Sequence, residues 1–511
     1  MLDPRTSTID GVVRRSGRAF QRRRAVVFEA RTWTYRELDD AVSRAAGFLL
    51  HLGLAKGDRV AAFGKNSDAY LIAFLACARA GLIHVPLNYN LTGAELDYLV
   101  SQSGATVVLT DPALTERLDG ALSSSPQVVP LRDAGASDES VGSLLAAASS
   151  GPVPDLDAQA TDDDVVQLLY TSGTTSQPKG AVMTHRALLH QYVGAIVALD
   201  LAADDNPLHV MPLYHSAQMH VFLLPWLAVG ACNTILEVPD AAQILARVGR
   251  DAHRALFAAP TLWLALTNHA DFAAADLAGL GKAYYGASIM PAAVVERLQG
   301  KVPSLGLYNC FGQSEMGPLC TVLRPEDHAT RPQSAGLPVL FTELRVVDAA
   351  GNDVPTGELG EVVYRSPQLC LGYWDKPAET AEAFRDGWFH SGDLVTMDEE
   401  GYITVVDRIK DVINTGGVLV ASREVEDALY AHPAVAEAAV IGTPDPKWVE
   451  AVTAIVVAKA DVSEADLIAH VRARLAAFKV PKAIFFVDEL PRNASGKILK
   501  RELRQLKAST T

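Results

Sequence analysis

The run Leu168-Leu169-Tyr170-Thr171-Ser172-Gly173-Thr174-Thr175-Ser176-Gln177-Pro178-Lys179-Gly180 constrains this chain more than any other segment. The acidic stretch Thr161 to Asp164 precedes it, followed by the apolar run 165–170, which reads as a buried strand ending where hydroxyls and glycines begin. A strand that empties into such a loop offers backbone N–H groups and hydroxyl donors to an anion. The hydroxyls ahead of Pro178 and the cation Lys179 suit a polyphosphate. A Walker loop ends in Gly-Lys-Ser/Thr, whereas here the order is Pro178-Lys179-Gly180, which disfavours a Walker-type NTPase. Composition alone would serve a flexible linker equally well, so the reading needs support from the rest of the chain.

At 511 residues the chain exceeds one core and is expected to form two to four domains or subdomains. Its formal charge of −15 argues against nucleic acid as a main partner, because phosphate backbones demand a basic surface. Five cysteines without Cys-x-x-Cys spacing suggest neither a disulfide framework nor a zinc site. No apolar leader follows Pro4 and Arg5, and the apolar run 221–231 is too short to span a bilayer, so a cytoplasmic protein with no membrane span is expected.

Taken in order, the chain alternates helices and strands. Thr34 with Glu37, and Thr92 with Glu95, read as capping boxes, and Ser67 as the cap of a helix running to about Ala80. Strands are expected at 59–63, 83–86 and 106–110, giving an α/β fold with largely parallel strands in a large N-terminal domain of several subdomains. From 341 to 364 the texture shifts to alternating strands with turns at Gly351-Asn352 and Pro355-Thr356-Gly357, a β subdomain. Beyond Asp407-Arg408-Ile409-Lys410-Asp411 about a hundred residues suffice for a small α+β domain, giving expected domains of 1–408 and 409–511.

Three further clusters carry chemistry. In Tyr308-Asn309-Cys310-Phe311-Gly312-Gln313-Ser314-Glu315, the Phe311 ring suits stacking on a purine and Ser314 suits a phosphate oxygen. Glu315 suits Mg²⁺, which takes few carboxylates alongside substrate phosphates. Trp388-Phe389-His390-Ser391-Gly392-Asp393 ends in a carboxylate able to accept from both ribose hydroxyls, although a lone Ser-Gly-Asp is commonly a turn. Met211-Pro212-Leu213-Tyr214-His215-Ser216-Ala217-Gln218 precedes a strongly apolar run, 219–226, which reads as pocket wall or plain core.

These strings, with Gly372-Tyr373-Trp374 and Pro491-Arg492-Asn493-Ala494-Ser495-Gly496-Lys497, occur in an order that resembles the adenylate-forming superfamily of acyl- and aryl-CoA synthetases, peptide-synthetase adenylation domains and beetle luciferases. The look is nearest to bacterial fatty acyl-CoA synthetases, which implies a place in fatty acid metabolism. The resemblance implies that Ser172, Gly173, Thr174, Thr175 and Lys179 hold the ATP phosphates and that Thr171 and Glu315 serve catalysis and Mg²⁺. It places Asn309, Phe311, Gly312, Gln313 and Ser314 on the nucleotide, with Asp393 on the ribose and Arg408 as its partner. Gly286, Ala287 and Ser288 would line the adenine and acyl pocket, and His215, Gln218, Met316 and Gly317 the substrate pocket with Gly286. Lys497 would bridge the carboxylate and the α-phosphate, a preorganised cation worth roughly 3 to 4 kcal/mol. The small domain would turn about Lys410.

The implied reaction makes an acyl-adenylate and pyrophosphate from ATP and a small carboxylate, then passes the acyl group to CoA. The chain departs from the family where Gly416-Gly417-Val418-Leu419-Val420 replaces Gly-Gly-Glu-Asn-Val and Val449 replaces a glycine. Those changes leave open an amine, a carrier-protein thiol or nitrite activation in the second step. A non-catalytic nucleotide sensor would have little use for Lys497.

Overall fold

A computed structural model describes residues 5–133, 142–156, 160–171, 177–286, 290–415, 418–446, 448–492 and 498–508. The chain divides into two compact units, one of Met1–Leu344 with Tyr364–Phe389 and the other of Arg345–Val363 with His390–Thr511.

The first unit is built on two sheets. In the six-stranded sheet, Gln127–Pro130, Val107–Thr110, Arg59–Phe63, Ile83–Leu87 and Val165–Thr171 are parallel neighbours in that order, and Lys179–Thr184 closes it antiparallel. In the nine-stranded sheet, Lys282–Gly286 and Gly306–Gly312 run parallel side by side, pairing Gly286 with Cys310. The inner strands Arg59–Phe63, Ile83–Leu87 and Val107–Thr110 are buried on both faces, so they read as apolar runs rather than alternations.

Local signals set several helix starts. Thr34 and Glu37 form the expected capping box ahead of Tyr35–His51, and the Ser67 hydroxyl accepts from Tyr70 N at the head of Asp68–Ala80. The second expected box does not form. Helix Gly93–Ser103 begins after Thr92 without a side-chain cap, and burial of Leu96, Leu99 and Val100 holds it instead. The run 219–226 is core: Met219, Leu223 and Leu224 pack beside helix Asp68–Ala80, while Phe222 stacks on Phe257 at 4.3 Å.

A fully buried polar chain threads that core. Tyr192 donates to His220 Nδ1 (2.8 Å), His220 Nε2 donates to Gln167 Oε1 (2.7 Å), and Gln167 Nε2 donates to His84 Nδ1 (3.0 Å). Burial pushes both histidines down to about 3, so they are neutral.

In the second unit, strands in the expected β stretch are joined by turns with Gly351 and Gly357 at positive φ, and Trp388–Met397 pairs antiparallel with Ile403–Arg408. A second sheet orders Val418–Val420, Ile413–Thr415, Val449–Ala458 and Val435–Asp445, with Ala483–Phe486 beside Val449–Ala458. Its two faces pack separately. Val440, Val452 and Ala454 meet helices Ser422–Tyr430 and Glu464–Arg472, and Ala439, Ile441 and Ile455 meet Leu490 and Leu503. Among the described residues no helix is long and apolar enough to cross a membrane.

Candidate active site

The phosphate-loop stretch is the tip of a hairpin. Strand Val165–Thr171 returns as Lys179–Thr184, and Thr171 pairs with Lys179 across the ladder. No helix opens after the loop, which is the structural counterpart of the non-Walker order. Ser172, Gly173, Thr174 and Thr175 lie outside the described residues.

The free edge of Lys179–Thr184 is covered by the segment around Tyr373. Leu371 N donates to Val182 O (3.0 Å), Val182 N to Gly372 O (2.9 Å) and Trp374 N to Gly180 O (2.8 Å). This pairing brings the Tyr373 ring under the Lys179 ammonium, 4.9 Å from the centroid, a cation–π distance. It also aims the phenol at Glu315, where the hydroxyl donates to Oε1 at 2.9 Å. The Thr171 hydroxyl donates to the same oxygen at 3.4 Å, and Cys370 N donates to the Glu315 carbonyl at 2.8 Å. Glu315 is 9% exposed, and among the described residues Oε2 accepts no hydrogen bond. One carboxylate oxygen is thus pinned by two hydroxyls.

Sequence reasoning placed Thr171, Lys179 and Glu315, which the fold brings together, and missed Tyr373. The signal for it was its place in Gly372-Tyr373-Trp374, but only strand pairing 190 residues back in the chain gives the phenol its target.

The nucleotide-loop residues fall on the end of strand Gly306–Gly312 and the turn Ser314–Met316. Phe311 and Gln313 are half-buried, and Asn309 Nδ2 donates to Ser334 O at 3.0 Å. Ser314 and Ser216 hydroxyls are 3.0 Å apart. Gly286 and Gly312 are required by close backbone approach: a Cβ on Gly286 would stand 2.2 Å from Cys310 O, and one on Gly312 would stand 1.9 Å from Pro318 O. Ala287 and Ser288 lie outside the described residues.

Of the expected pocket residues, His215 is exposed and Met316 fully buried. Gln218 belongs to the core rather than to a pocket: its Oε1 accepts from Met211 N (3.0 Å), and its Nε2 donates to His209 Nδ1 (2.8 Å). An amide held at both ends by protein has little left for a substrate.

In the second unit, Asp393 and Arg408 face each other across an antiparallel pair and form an ion pair through Oδ1 and Nε. Asp393 N donates to Ser391 Oγ, 3.0 Å away. Neighbouring Asp407 accepts from Ser422 N and Oγ at 2.6 and 2.8 Å. Lys410 sits exposed in the turn Ile409–Asp411, where Arg504 pairs with Asp411 at 3.0 Å. Val418, Leu419 and Val449 are exposed, and Val449 holds φ +68. Gly416, Gly417 and Lys497 lie outside the described residues.

A pinned carboxylate beside a hydroxyl and a loop cation suits a nucleotide triphosphate, and comparison with known proteins agrees. The AMP-binding enzyme family matches residues 13–374, and its C-terminal domain matches residues 424–497. The chain belongs to the AMP-binding enzyme family. Among AMP-binding enzymes it is 40% identical over 475 residues to a feruloyl-CoA synthase of an Amycolatopsis species, covering 92% of this chain and 93% of that one. It is 32% identical over 480 residues to the long-chain-fatty-acid–CoA ligase FadD13 of Mycobacterium tuberculosis, covering 93% of each. The crystal structure of ATP-bound MatB from Rhodopseudomonas palustris superposes with a TM-score of 0.88 at 29% identity, over 99% of this chain and 100% of that one. This AMP-binding enzyme is therefore a ligase of the adenylate-forming acyl-CoA ligase family, with ATP as its nucleotide.

Proposed function

We propose that this enzyme joins an aryl monocarboxylate to CoA through an acyl-adenylate. The observation that carries the reading is the Glu315 carboxylate, held through one oxygen by Tyr373 and Thr171 next to Lys179.

In the first half-reaction a carboxylate oxygen of the acid attacks the α-phosphorus of ATP. The new P–O bond forms as the bond to pyrophosphate breaks, giving the mixed anhydride. In-line transfer asks little covalent chemistry of protein, so positioning and charge carry it. Lys179 and the hydroxyls of the loop hold the β- and γ-phosphates, and Asp393 accepts from the ribose with Arg408 steadying it. Lys497 would bridge the acid's carboxylate and the α-phosphate, the role that the family resemblance implies for it.

Glu315 Oε2 and the Thr171 hydroxyl are the residues that fit Mg²⁺. The ion takes one or two carboxylates together with phosphate oxygens, and the described residues hold no cluster of three or more His, Cys, Asp or Glu. When bound, Mg²⁺ would neutralise charge developing on the phosphates.

In the second half-reaction the CoA thiol gives up its proton and its sulfur attacks the acyl carbon; the C–S bond forms as the acyl C–O bond of the mixed anhydride breaks, and AMP leaves with that electron pair on its phosphate oxygen. Domains of 1–408 and 409–511 turning about Lys410 would let one cleft serve both steps. The feruloyl-CoA synthase relative supports an aryl acid as substrate.

A second reading keeps adenylation and changes the acceptor to an amine, a carrier-protein thiol or nitrite chemistry. The apolar, exposed Val418, Leu419 and Val449 favour it. AMP release from ATP, followed across fatty, aryl and amino-aryl acids with CoA absent and then present, and separately with nitrite, tests both. A CoA-dependent thioester from one acid class upholds the first reading, and AMP only with nitrite, an amine or a carrier protein upholds the second.

A further inference from the structure

Strands Leu208–His209, Ala255–Phe257, Lys282–Gly286 and Gly306–Gly312 run parallel as neighbours in the nine-stranded sheet. The loops that leave their carboxyl ends therefore gather at one edge, the edge at which parallel α/β sheets bind ligands. Two of those loops, 211–218 and 313–317, leave strands with two others between them, yet they touch. The Ser216 and Ser314 hydroxyls are 3.0 Å apart, and among the described residues each is the other's only hydrogen-bond partner. Ser216 is 4% exposed, so the contact is closed to bulk water.

The loop that carries Ser216 is held on both sides of it. Asn66, fully buried, donates through Nδ2 to Met211 O (3.0 Å) and Leu236 O (3.0 Å), and its Oδ1 accepts from Leu213 N (2.7 Å). Gln218 Oε1 closes the loop on its own start by accepting from Met211 N (3.0 Å), and His215 N donates to Pro212 O (3.1 Å). A π-helical turn, Ala217–Leu223, follows directly, and His220 fixes it by joining Tyr192 to Gln167 in strand Val165–Thr171. Such turns give up regular helical hydrogen bonds and recur at functional sites. Ser216 is thus a fixed point from which Ser314 can be oriented.

We infer that Ser216 is a positioning residue for adenylation: it donates to Ser314 Oγ and so leaves the Ser314 proton free to meet a phosphate oxygen of ATP. The inference rests on the adenylating reading of this site. A hydroxyl has one proton and two lone pairs, so a Ser314 that donated to Ser216 would turn only lone pairs toward the triphosphate. With Ser216 as donor, both O–H bonds run toward the anion and each polarises the next. Ser314 leaves the same turn as Glu315, whose Oε1 is held by Tyr373 and Thr171. One hydrogen bond therefore ties the loop of His215, on the acid side, to the loop that meets the nucleotide.

The test is a double-variant cycle on the full-length enzyme, Ser216→Ala, Ser314→Ala and both, read by pyrophosphate release with whichever acid of the fatty, aryl and amino-aryl panel reacts fastest. Ser216→Ala should lower kcat/KM for ATP by roughly two- to tenfold, the weight of one neutral hydrogen bond, while KM for the acid stays within about twofold and the melting temperature holds. Ser314→Ala should lose at least as much. Adding Ser216→Ala to it should cost nothing further, because no hydroxyl is left to orient. A merely structural Ser216 would loosen the loop of His215 and raise KM for the acid instead. That result, a Ser216→Ala loss that multiplies with the Ser314→Ala loss, or no loss at all overturns the inference while leaving adenylation intact. Absence of pyrophosphate release with every acid overturns the adenylating reading instead.

Discussion

The Tyr373 phenol donates a 2.9 Å hydrogen bond to Oε1 of Glu315, joining residues 58 positions apart in the chain. The same ring carries the Lys179 ammonium on its face, so one side chain touches both the carboxylate and the loop cation. Tyr373→Phe keeps the ring and removes only the hydroxyl. A hydrogen bond to a charged group contributes about 1.5 to 3 kcal/mol, so the expected outcome is a rise of about tenfold or more in KM for MgATP. KM for the acid should change little. Titration of Mn²⁺ with α,β-methylene ATP, read by electron paramagnetic resonance, should weaken in parallel, and Glu315→Gln should gain little further loss when combined with it.

Lys497→Ala should lower adenylate formation by about 10² to 10³ while sparing turnover of a supplied acyl-adenylate. Pyrophosphate release measures the first step and thioester formation from synthetic acyl-AMP the second. Equal loss of both would refute the role.

Four buried histidines set an acid limit. Burial lowers His84 and His220 to about 3, and His185 and His209 to about 4, from an ordinary 6.5. Because the folded pKa lies below the unfolded one, the unfolded chain binds protons first. The stabilisation is complete above about 6.5 and is lost as pH falls toward 4 and 3, by at most about 1.4 kcal/mol per pH unit for each group. Urea titrations between pH 7.5 and 5 should show falling stability, and His84→Gln should flatten the slope by about one proton.

In the second unit, Lys500 pairs with the partly buried Glu426 at 2.7 Å, and Glu426 Oε1 also accepts from Val440 N at 2.8 Å. Lys500→Met leaves that carboxylate with only its backbone donor and should cost about 1 to 3 kcal/mol. Adding Glu426→Leu should recover most of the loss, because an apolar pair avoids burying a charge. Calorimetry on the single and double variants checks both signs.

Val449 holds φ +68, a left-handed conformation that a β-branched residue adopts only under strain. Val449→Gly relieves it and should stabilise the unit by about 0.5 to 1 kcal/mol, after the glycine's larger unfolded-state entropy is counted. If this side chain narrows the route of CoA, thioester formation should quicken while adenylation stays constant. Parallel rates of the two steps decide the matter.

The sequence by itself determined the elements whose cause is local. Val165–Thr171 emptying into hydroxyls and the caps at Thr34 and Ser67 all depend on near neighbours. Motif order was enough for the family, because Thr171, Lys179 and Glu315 each sit in a recognisable string. Other features were decided by tertiary structure alone. Gln218 looked like a pocket residue and became core, since its amide partners are His209 in strand Leu208–His209 and Met211 N just beyond it, placed by the fold and not by spacing. Tyr373 looked like a marker and became the support of Glu315, because a non-local strand edge aims its phenol. Ser216 sat in an ordinary loop until the fold brought Ser314 against it. Hydrogen-bond satisfaction is a sum over contacts from distant segments, and no local pattern carries it.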